Sequence, residues 1–240
     1  MQDCYTLHFR EARLDPAMTR SILALGLPAG FQNAVFAIAN LFIQAGVNTF
    51  DSVTVEGSSA AANADAIAFN VMAAFYTACS TFMGQNWGAR KHKRVIQSYF
   101  ISLIYSVATG LLVGLLFLFL GREFLALFTN DAGVVETGMQ RLRIMAFSYA
   151  VSPFMDCTIA ASRGIGKSAV PTVIVIMGSC VFRVIWVYTI FAYFRTIPSL
   201  YLIYIFSWTI TAIAEIIYFA VTYRRLNRAQ ELEAVAAPLK

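Results

Sequence analysis

Residues 95–120 read VIQSYFISLIYSVATGLLVGLLFLFL and contain no acidic or basic side chain. A helix needs about 20 predominantly apolar residues to cross about 30 Å of hydrocarbon, so this run predicts a membrane-spanning helix. A helix is the expected form because lipid offers no partner to open backbone groups. A membrane β-barrel would show shorter segments of alternating polarity instead of one continuous run.

Five further apolar runs accompany this one along the chain. The six runs are 22–50, 60–83, 95–120, 142–161, 170–194 and 200–223. The composition agrees, because 59% of the 240 residues are hydrophobic and only 13% are charged. The sequence therefore predicts an all-α, polytopic membrane bundle of six transmembrane helices in contact with lipid. The predicted division is a cytoplasmic connector, a six-helix membrane lobe and a cytoplasmic tail, at residues 1–21, 22–223 and 224–240.

Basic residues gather in alternate gaps between the runs. One side of the predicted membrane carries most of the 18 lysines and arginines, including Arg90, Lys91, Lys93, Arg94, Arg163, Lys167, Arg224, Arg225 and Arg228. Cytoplasmic loops hold such an excess, so both termini are predicted to be cytoplasmic. The predicted location is the cell (plasma) membrane. This bias accounts for the net charge of +5, which gives no reason to expect a nucleic-acid partner.

A proline flanked by glycines stands early in the first run, as Gly26, Pro28 and Gly30. Proline removes a backbone donor and crowds the preceding turn, so we expect a helix bend here. Gly26, Gly30 and Ala34 also recur at four-residue spacing, which is typical of a face for close helix packing.

Four amide side chains follow in the same run. They are Asn33, Asn40, Gln44 and Asn48. At about 100° per residue they fall within one sector of about 80° on the helix. Amides that face lipid are costly, so this sector is expected to face protein or water. Interhelical hydrogen bonds and a water-filled cavity both fit the pattern.

Other predicted helices carry similar polar stripes. In the second run these are Asn63, Asn70 and Thr77, and in the sixth Ser207, Thr211, Glu215, Tyr218 and Thr222. Several helices with one polar face each are typical of a bundle around a wet pathway. The polar candidates for lining that cavity are Asn33, Asn40, Gln44, Asn48, Asn70, Arg183 and Glu215.

Four charged side chains lie inside the runs, namely Asp65, Asp156, Arg183 and Glu215. A charge at membrane depth is costly, so each is first considered as functional. Asp65 is near the outer end of its run and is interpreted as structural. Arg183 and Glu215 lie in consecutive antiparallel helices and are expected to form a buried structural ion pair.

Asp156 has no basic residue at comparable depth. Tyr149 and Ser152 precede it by seven and four residues, so both are expected to hydrogen-bond its carboxylate. A carboxylate withdrawn from water is suited to exchanging a proton or binding Na⁺ near neutral pH. Asp156, with Ser152 and Tyr149, is therefore the candidate ion-coupling site, for Na⁺ or H⁺. No other cofactor, no metal cluster and no nucleophile–base pair is suggested, so an enzyme is not expected.

Short segments at the ends of the runs together resemble the multidrug and toxic compound extrusion (MATE) family of transporters. They are Gly26–Pro28, Ile43–Asn48, Gly84–Ala89, Leu127–Asp131 and Ser162–Ser168. The resemblance implies the second lobe of a twelve-helix transporter, with residues 1–21 as the connector from a missing N-terminal lobe. It also implies efflux of cationic amphiphilic small molecules in exchange for Na⁺ or H⁺, by alternating access of two lobes.

At the positions that bind the coupling ion, the resemblance to the family is only partial. Asp156 matches a coupling carboxylate of a sodium-coupled branch of the family. Ser152 stands where that branch has a tyrosine, and Phe36 where it has a glutamate. Two of the three residues that bind the coupling ion in that branch are therefore different in this chain. The resemblance leaves the identity of the coupling ion open.

Other functions remain open at the level of sequence. One is a lipid-linked oligosaccharide flippase of the same superfamily, for which Arg183 is the strongest cationic candidate. A second is a truncated or non-transporting membrane protein. A third is an autonomous half that pairs with a second copy of itself.

Overall fold

The computed structural model describes residues 15–236, with side chains described for residues 15–232. Six helices follow one another in this part of the chain. They are α1 Pro16–Val47, α2 Ser52–Gly88, α3 His92–Ala126, α4 Ala132–Gly164, α5 Ala169–Phe194 and α6 Ile197–Ala236. All six are long and apolar enough to cross a membrane. The predicted all-α bundle of six spanning helices is confirmed.

Asp15 and Pro16 determine where α1 begins. The Asp15 carboxylate accepts a hydrogen bond of 2.8 Å from the backbone N–H of Ala17. Such a cap satisfies a free donor of the first turn, and proline is favoured at the first helical position. The helix therefore begins inside the predicted connector 1–21, of which residues 1–14 lie outside the described residues.

The helices extend beyond most of the predicted runs. α6 continues as a helix to Ala236, far into the predicted tail 224–240, whereas α1 ends at Val47, before the predicted limit at Phe50. Hydropathy locates only the part of a helix that lies in hydrocarbon, and capped helices continue into the polar boundary. The positions of the runs are therefore better predicted than their ends.

The bundle is built around α4, which packs against α2, α3 and α6. In the most apolar window of α4, 67% of the residues are buried, compared with 11% in α1. α1 packs mainly against α5 and leaves most of its surface open. The central helix is therefore the one that can present side chains to several neighbours at once.

Glycines allow the backbones of α2, α3 and α4 to approach closely. An added Cβ at Gly57 would lie 2.5 Å from the carbonyl oxygen of Val134, and one at Gly114 would lie 2.6 Å from that of Ala146. In the described part of α1, by contrast, nothing lies within 4 Å of a Cβ added at Gly26 or Gly30. The packing face predicted for α1 is wrong for residues 15–236, because those turns lie at the edge of the bundle.

Two prolines lie inside helices. α1 continues as one helix through Pro28, and the bend expected there stays a prediction. Pro153 lies inside α4 and is buried. Since proline has no N–H, the carbonyl of Tyr149 loses its helical partner, and Gly110 of α3 approaches that same carbonyl. This local break in hydrogen bonding lies three residues before Asp156.

α5 is irregular along its length. It contains two π-helical segments, Ile176–Val181 and Val187–Phe191, with one α-helical stretch between them. Arg183 lies in that stretch. π-Segments insert an extra residue into a turn and occur often at functional sites. Nothing in the hydrophobic pattern of the sequence indicated them.

We expect Gly114→Ala to lower the unfolding temperature of the purified protein in detergent. Alanine improves helix propensity by about 1 kcal/mol, but here its methyl group collides with the Ala146 carbonyl, and overpacking costs about 1–3 kcal/mol. Gly30→Ala is the matched control, because it gains the same propensity in open space and is expected to be neutral or stabilising. Equal shifts for the two variants would contradict the close approach of α3 and α4.

Candidate functional site

A cavity of about 500 Å³ lies between α1, α2, α4, α5 and α6. Its polar lining residues are Asn40, Gln44, Asp65, Arg141, Asp156 and Arg183. Its aromatic lining residues are Phe36, Phe69, Tyr76, Tyr201, Tyr204 and Trp208. Polar side chains placed among aromatic walls are typical of sites for amphiphilic small molecules.

Asp65 and Arg141 form a buried ion pair in the wall of the cavity, with 11% of each side chain exposed. Tyr149 also donates a hydrogen bond to Asp65. Arg141 Nη1 donates to the backbone and side-chain oxygens of Ser58, both at 2.8 Å. The same guanidinium lies 4.9 Å from the centroid of the Tyr201 ring. This network joins α2, α4 and α6.

The structural interpretation of Asp65 agrees with its place in a buried ion pair. Arg141 is a cavity residue that the polar stripes of the sequence do not predict. The sequence nevertheless places both residues at a similar depth in the membrane. Asp65 lies near the outer end of its run, and Arg141 directly precedes another run on the same side. Two opposite charges at one membrane depth are expected to pair.

Asp156 lies in the C-terminal third of α4, lines the cavity and is half-buried. Ser152 Oγ donates a hydrogen bond of 2.9 Å to Asp156 Oδ2, as the four-residue spacing predicts. The hydrogen bond predicted from Tyr149 to Asp156 is wrong. Seven residues separate the two by about 10 Å along the helix axis, and Tyr149 donates across the helix interface to Asp65 instead.

Arg183 is almost fully buried, with 1% of its surface exposed. Its Nη1 donates to Asn40 Oδ1 at 3.1 Å and its Nε to Ser207 Oγ at 3.4 Å. The predicted ion pair with Glu215 is wrong, since no carboxylate lies within ion-pair distance of Arg183 in the described residues. Glu215 follows Ser207 by eight residues, which places it about 12 Å further along α6.

Glu215 does not line the cavity, so its predicted place there is also wrong. It is fully buried, and neither of its carboxylate oxygens has a hydrogen-bond partner within residues 15–232. Arg163 of α4 is the cation that acts on it electrostatically. Arg163 itself donates a hydrogen bond of 2.9 Å to Gln32 Oε1 of α1.

The predicted amide stripe of α1 is only partly in the cavity wall. Asn40 and Gln44 line the cavity, whereas Asn33 and Asn48 lie outside its lining. Gln44 Nε2 donates to Asn48 Oδ1 at 3.0 Å within the helix. The cavity adjoins the C-terminal part of α1, from Phe36 to Val47, so Asn33 lies before this part and Asn48 after it.

Asn70 also lies outside the lining of this cavity, and its predicted place in a cavity wall stays a prediction. It is exposed on α2, one residue after the cavity-lining Phe69. One residue turns a helix by about 100°, so neighbours in sequence point to different surroundings.

The fold and the cavity together define the class of the protein. Six apolar helices make it a multi-pass membrane protein, and a cavity lined by charged side chains at membrane depth is typical of membrane transporters. The family model described as MatE matches residues 28–189. The chain belongs to the MatE family, as the segments at the ends of its apolar runs indicated.

Comparison with individual proteins supports this assignment. The chain is 28% identical over 148 residues to the probable multidrug resistance protein YpnP of Bacillus subtilis (strain 168). That match covers 62% of this chain and 32% of YpnP. The matched segment therefore spans about a third of the length of that curated relative.

Solved structures with the same fold are about twice as long as this chain. One is an outward-facing multidrug resistance MATE family transporter of the MOP superfamily, with a TM-score of 0.82 at 19% identity. Another is a MOP superfamily transporter from Pyrococcus furiosus, with a TM-score of 0.82 at 18% identity. Each match covers 92% of this chain and 50% of the solved chain. The chain has the fold of one half of these transporters.

We expect Asp65→Asn to destabilise the protein strongly, by about 3–5 kcal/mol, because it leaves the Arg141 guanidinium buried without a counter-charge. Glu136→Gln is the matched control, since Glu136 pairs with Arg122 at the exposed surface and such pairs contribute about 1 kcal/mol or less. The measurement is the unfolding temperature in detergent. Similar unfolding temperatures for the two variants would show that the buried pair is not needed for stability.

Proposed function

We propose that the complete protein exports amphiphilic organic compounds with a cationic group in exchange for Na⁺ or H⁺. The observation that carries this proposal is the position of Asp156. It lies on the central helix, lines the cavity and has Ser152 as its hydrogen-bond partner, with no ion-pair partner in the described part of the chain. Its carboxylate is therefore free to hold a coupling ion or the cationic group of a substrate.

Exchange of substrate for ion follows if the coupling ion and the cationic group of the substrate cannot occupy Asp156 at the same time. A proton or Na⁺ on the carboxylate cancels the charge that attracts a cationic substrate, so binding one favours release of the other. Asp65 is unsuited to this role because Arg141 and Tyr149 already engage its oxygens. The aromatic walls offer flat apolar faces to the rest of an amphiphile, and their π-systems also attract cations.

Alternating access requires that occupancy of this site favour one arrangement of two bodies over another. The chain supplies one six-helix body, so we propose a second six-helix lobe as its partner. That lobe is expected in the same polypeptide, and a second copy of this chain is the alternative. We further propose that the protein lies in the plasma membrane with both ends of this half cytoplasmic, as the distribution of basic residues predicts.

A lipid-linked oligosaccharide flippase is the second candidate function. The observation that favours it is Arg183, a buried cation in the cavity wall. Arg141 adds little to this case because Asp65 balances its charge. A flippase of this kind is expected to restore transfer of lipid-linked sugars in a host that lacks its own flippase, with no effect on dye accumulation.

We expect Asp156→Asn to reduce ion-driven ethidium extrusion to the background of an efflux-deficient host. Asparagine keeps the shape of the side chain but cannot release a proton or attract a cation. The measurement is dye efflux from cells that express the complete protein, under imposed Na⁺ or H⁺ gradients. Asp131→Asn is the control, because Asp131 caps α4 at the surface and asparagine is an equally good cap.

Two results would count against this assignment. Unchanged efflux and ion dependence in Asp156→Asn would remove Asp156 from the coupling site. Absence of dye efflux from cells with the parent protein, when membranes contain it in folded form, would exclude export of such dyes.

We expect the protein made from its own reading frame to have about twice the 26.5 kDa mass of this chain. The physical reason is that a single six-helix lobe bounds the cavity here, whereas a closed transport path needs two lobes. Mass spectrometry of the native membrane protein measures this directly. A 26.5 kDa product that remains monomeric after cross-linking in membranes would contradict the requirement for a second half.

A further inference from the structure

Four exposed cationic side chains lie close together where α2 ends and α3 begins. They are Arg90, Lys91, Lys93 and Arg94. They lie at one end of the bundle, outside the lining of the cavity that contains Asp156. The proposed exchange at Asp156 therefore gives these four residues no role.

The four cations line a groove of about 890 Å³ between the start of α3 and the C-terminal part of α6. On the α6 side, the lining of this basic groove consists of Tyr223, Asn227 and Glu231. The Glu231 carboxylate accepts a hydrogen bond of 2.7 Å from Asn227 Nδ2. Among the described lining residues it is the one acid against four cations. The basic groove therefore has an excess of positive charge.

Aromatic residues hold the two sides of the basic groove together. The Tyr223 hydroxyl of α6 donates a hydrogen bond of 3.1 Å to the carbonyl oxygen of His92 in α3. The ring centroid of Trp87 lies 5.5 Å from that of His92 and 6.0 Å from that of Tyr223. Tryptophan and tyrosine are enriched at the level of lipid headgroups. The groove is therefore preformed, and its walls are typical of the membrane boundary.

The positive charge of the basic groove is largely unbalanced in the described part of the chain. Within residues 15–232, Lys91, Lys93 and Arg94 form no ion pair. Like charges in one groove repel each other and raise the local concentration of anions. An anion in the groove would therefore relieve this repulsion.

The surroundings of the groove favour an anion that also has an apolar part. The cations directly precede the charge-free run 95–120, which places them at the level of lipid phosphates. Lys93 and Gln97 line the groove. Phe100 and Ile104 follow on the same face of α3, because each step of three or four residues is about one helical turn. They are 53% and 64% exposed, so an apolar chain can lie along them.

We propose that the basic groove binds the headgroup of an anionic phospholipid, whose acyl chains lie along the exposed apolar face of α3. Lys93 and Arg94 pair with the phosphate oxygens, and charge-assisted hydrogen bonds of this kind are short and strong. Clusters of four or more basic residues beside a spanning helix are typical of anionic-lipid binding. The bound lipid joins the start of α3 to the C-terminal part of α6. The groove is separate from the cavity, so this inference does not depend on the proposed export.

The test compares two lipids that differ in headgroup charge. Phosphatidylglycerol is anionic and phosphatidylcholine is zwitterionic, and both are used with the same acyl chains. Each lipid is titrated into the purified, delipidated complete protein in a non-ionic detergent, and native mass spectrometry measures the fraction of protein that carries lipid. We expect the parent protein to bind phosphatidylglycerol about tenfold more tightly, because each nearby cation strengthens binding of an anionic lipid several-fold.

The double variant Lys93→Gln/Arg94→Gln is expected to remove the preference for phosphatidylglycerol and to leave phosphatidylcholine affinity within about twofold. Both residues are exposed and glutamine is a good helix former, so the fold is expected to be unchanged. Arg224→Gln/Arg225→Gln is the matched control. It removes the same charge from exposed residues next to Tyr223 but outside the groove lining, and it is expected to keep the full preference.

A further variant decides the question if the Lys93→Gln/Arg94→Gln protein does not fold. Glu231→Gln removes the one described carboxylate of the groove and is expected to raise the affinity for phosphatidylglycerol about threefold, with phosphatidylcholine unchanged. A gain of affinity for one lipid cannot result from misfolding. No gain in a folded Glu231→Gln protein would count against the groove as the binding site.

Three other results would overturn the inference. One is equal binding of both lipids by the parent protein, and another is a preference that survives in Lys93→Gln/Arg94→Gln. An equal loss in the two double variants would show general attraction to this end of the bundle instead of a site in the groove.

Inorganic phosphate is the probe that separates a lipid site from a site for a free anion. We expect it to leave phosphatidylglycerol bound when the two are present at equal concentration, because it lacks the acyl chains that contact α3. Displacement of the lipid under these conditions would make the groove a site for free phosphate and would overturn the lipid assignment.

Discussion

Polar groups at membrane depth must find partners inside the protein, and the central helix α4 is where this constraint is met. Lipid offers no hydrogen bonds, so a charge on a spanning helix is stable only against another helix or a cavity. α4 contacts three neighbours, and it carries both the Arg141 that pairs with Asp65 and the Asp156 that faces the cavity. The bundle is thus arranged around its polar side chains as well as its apolar ones.

Close backbone contact and cavity formation depend on the same helix. Gly57 and Gly114 bring α2 and α3 against α4 on its packed faces, which leaves the side toward α1 and α5 for the cavity. Pro153 interrupts the hydrogen bonds of α4 just before Asp156. The cavity therefore lies between a tightly packed subset of helices and the loosely packed α1, and its lining includes Asp156 of α4 and Arg183 of α5.

Membership of the MatE family establishes the fold and the class of protein, but it does not by itself determine what is carried. A shared fold accommodates different cavity side chains, and specificity resides in those side chains. Within the described residues, the cavity lining combines the ion pair of Asp65 and Arg141 with one acid and one base that form no ion pair, Asp156 and Arg183.

The sequence alone determined the six helices, because the length and continuity of apolar runs depend only on neighbouring residues and on bilayer thickness. It also determined the hydrogen bond from Ser152 to Asp156, since a four-residue spacing places two side chains together on any helix. Only the tertiary structure decided that Tyr149 bonds Asp65, that Arg183 bonds Asn40 and Ser207, and that Glu215 lies outside the cavity. Those contacts join different helices, and they depend on the rotation and depth of each helix, which local sequence does not specify.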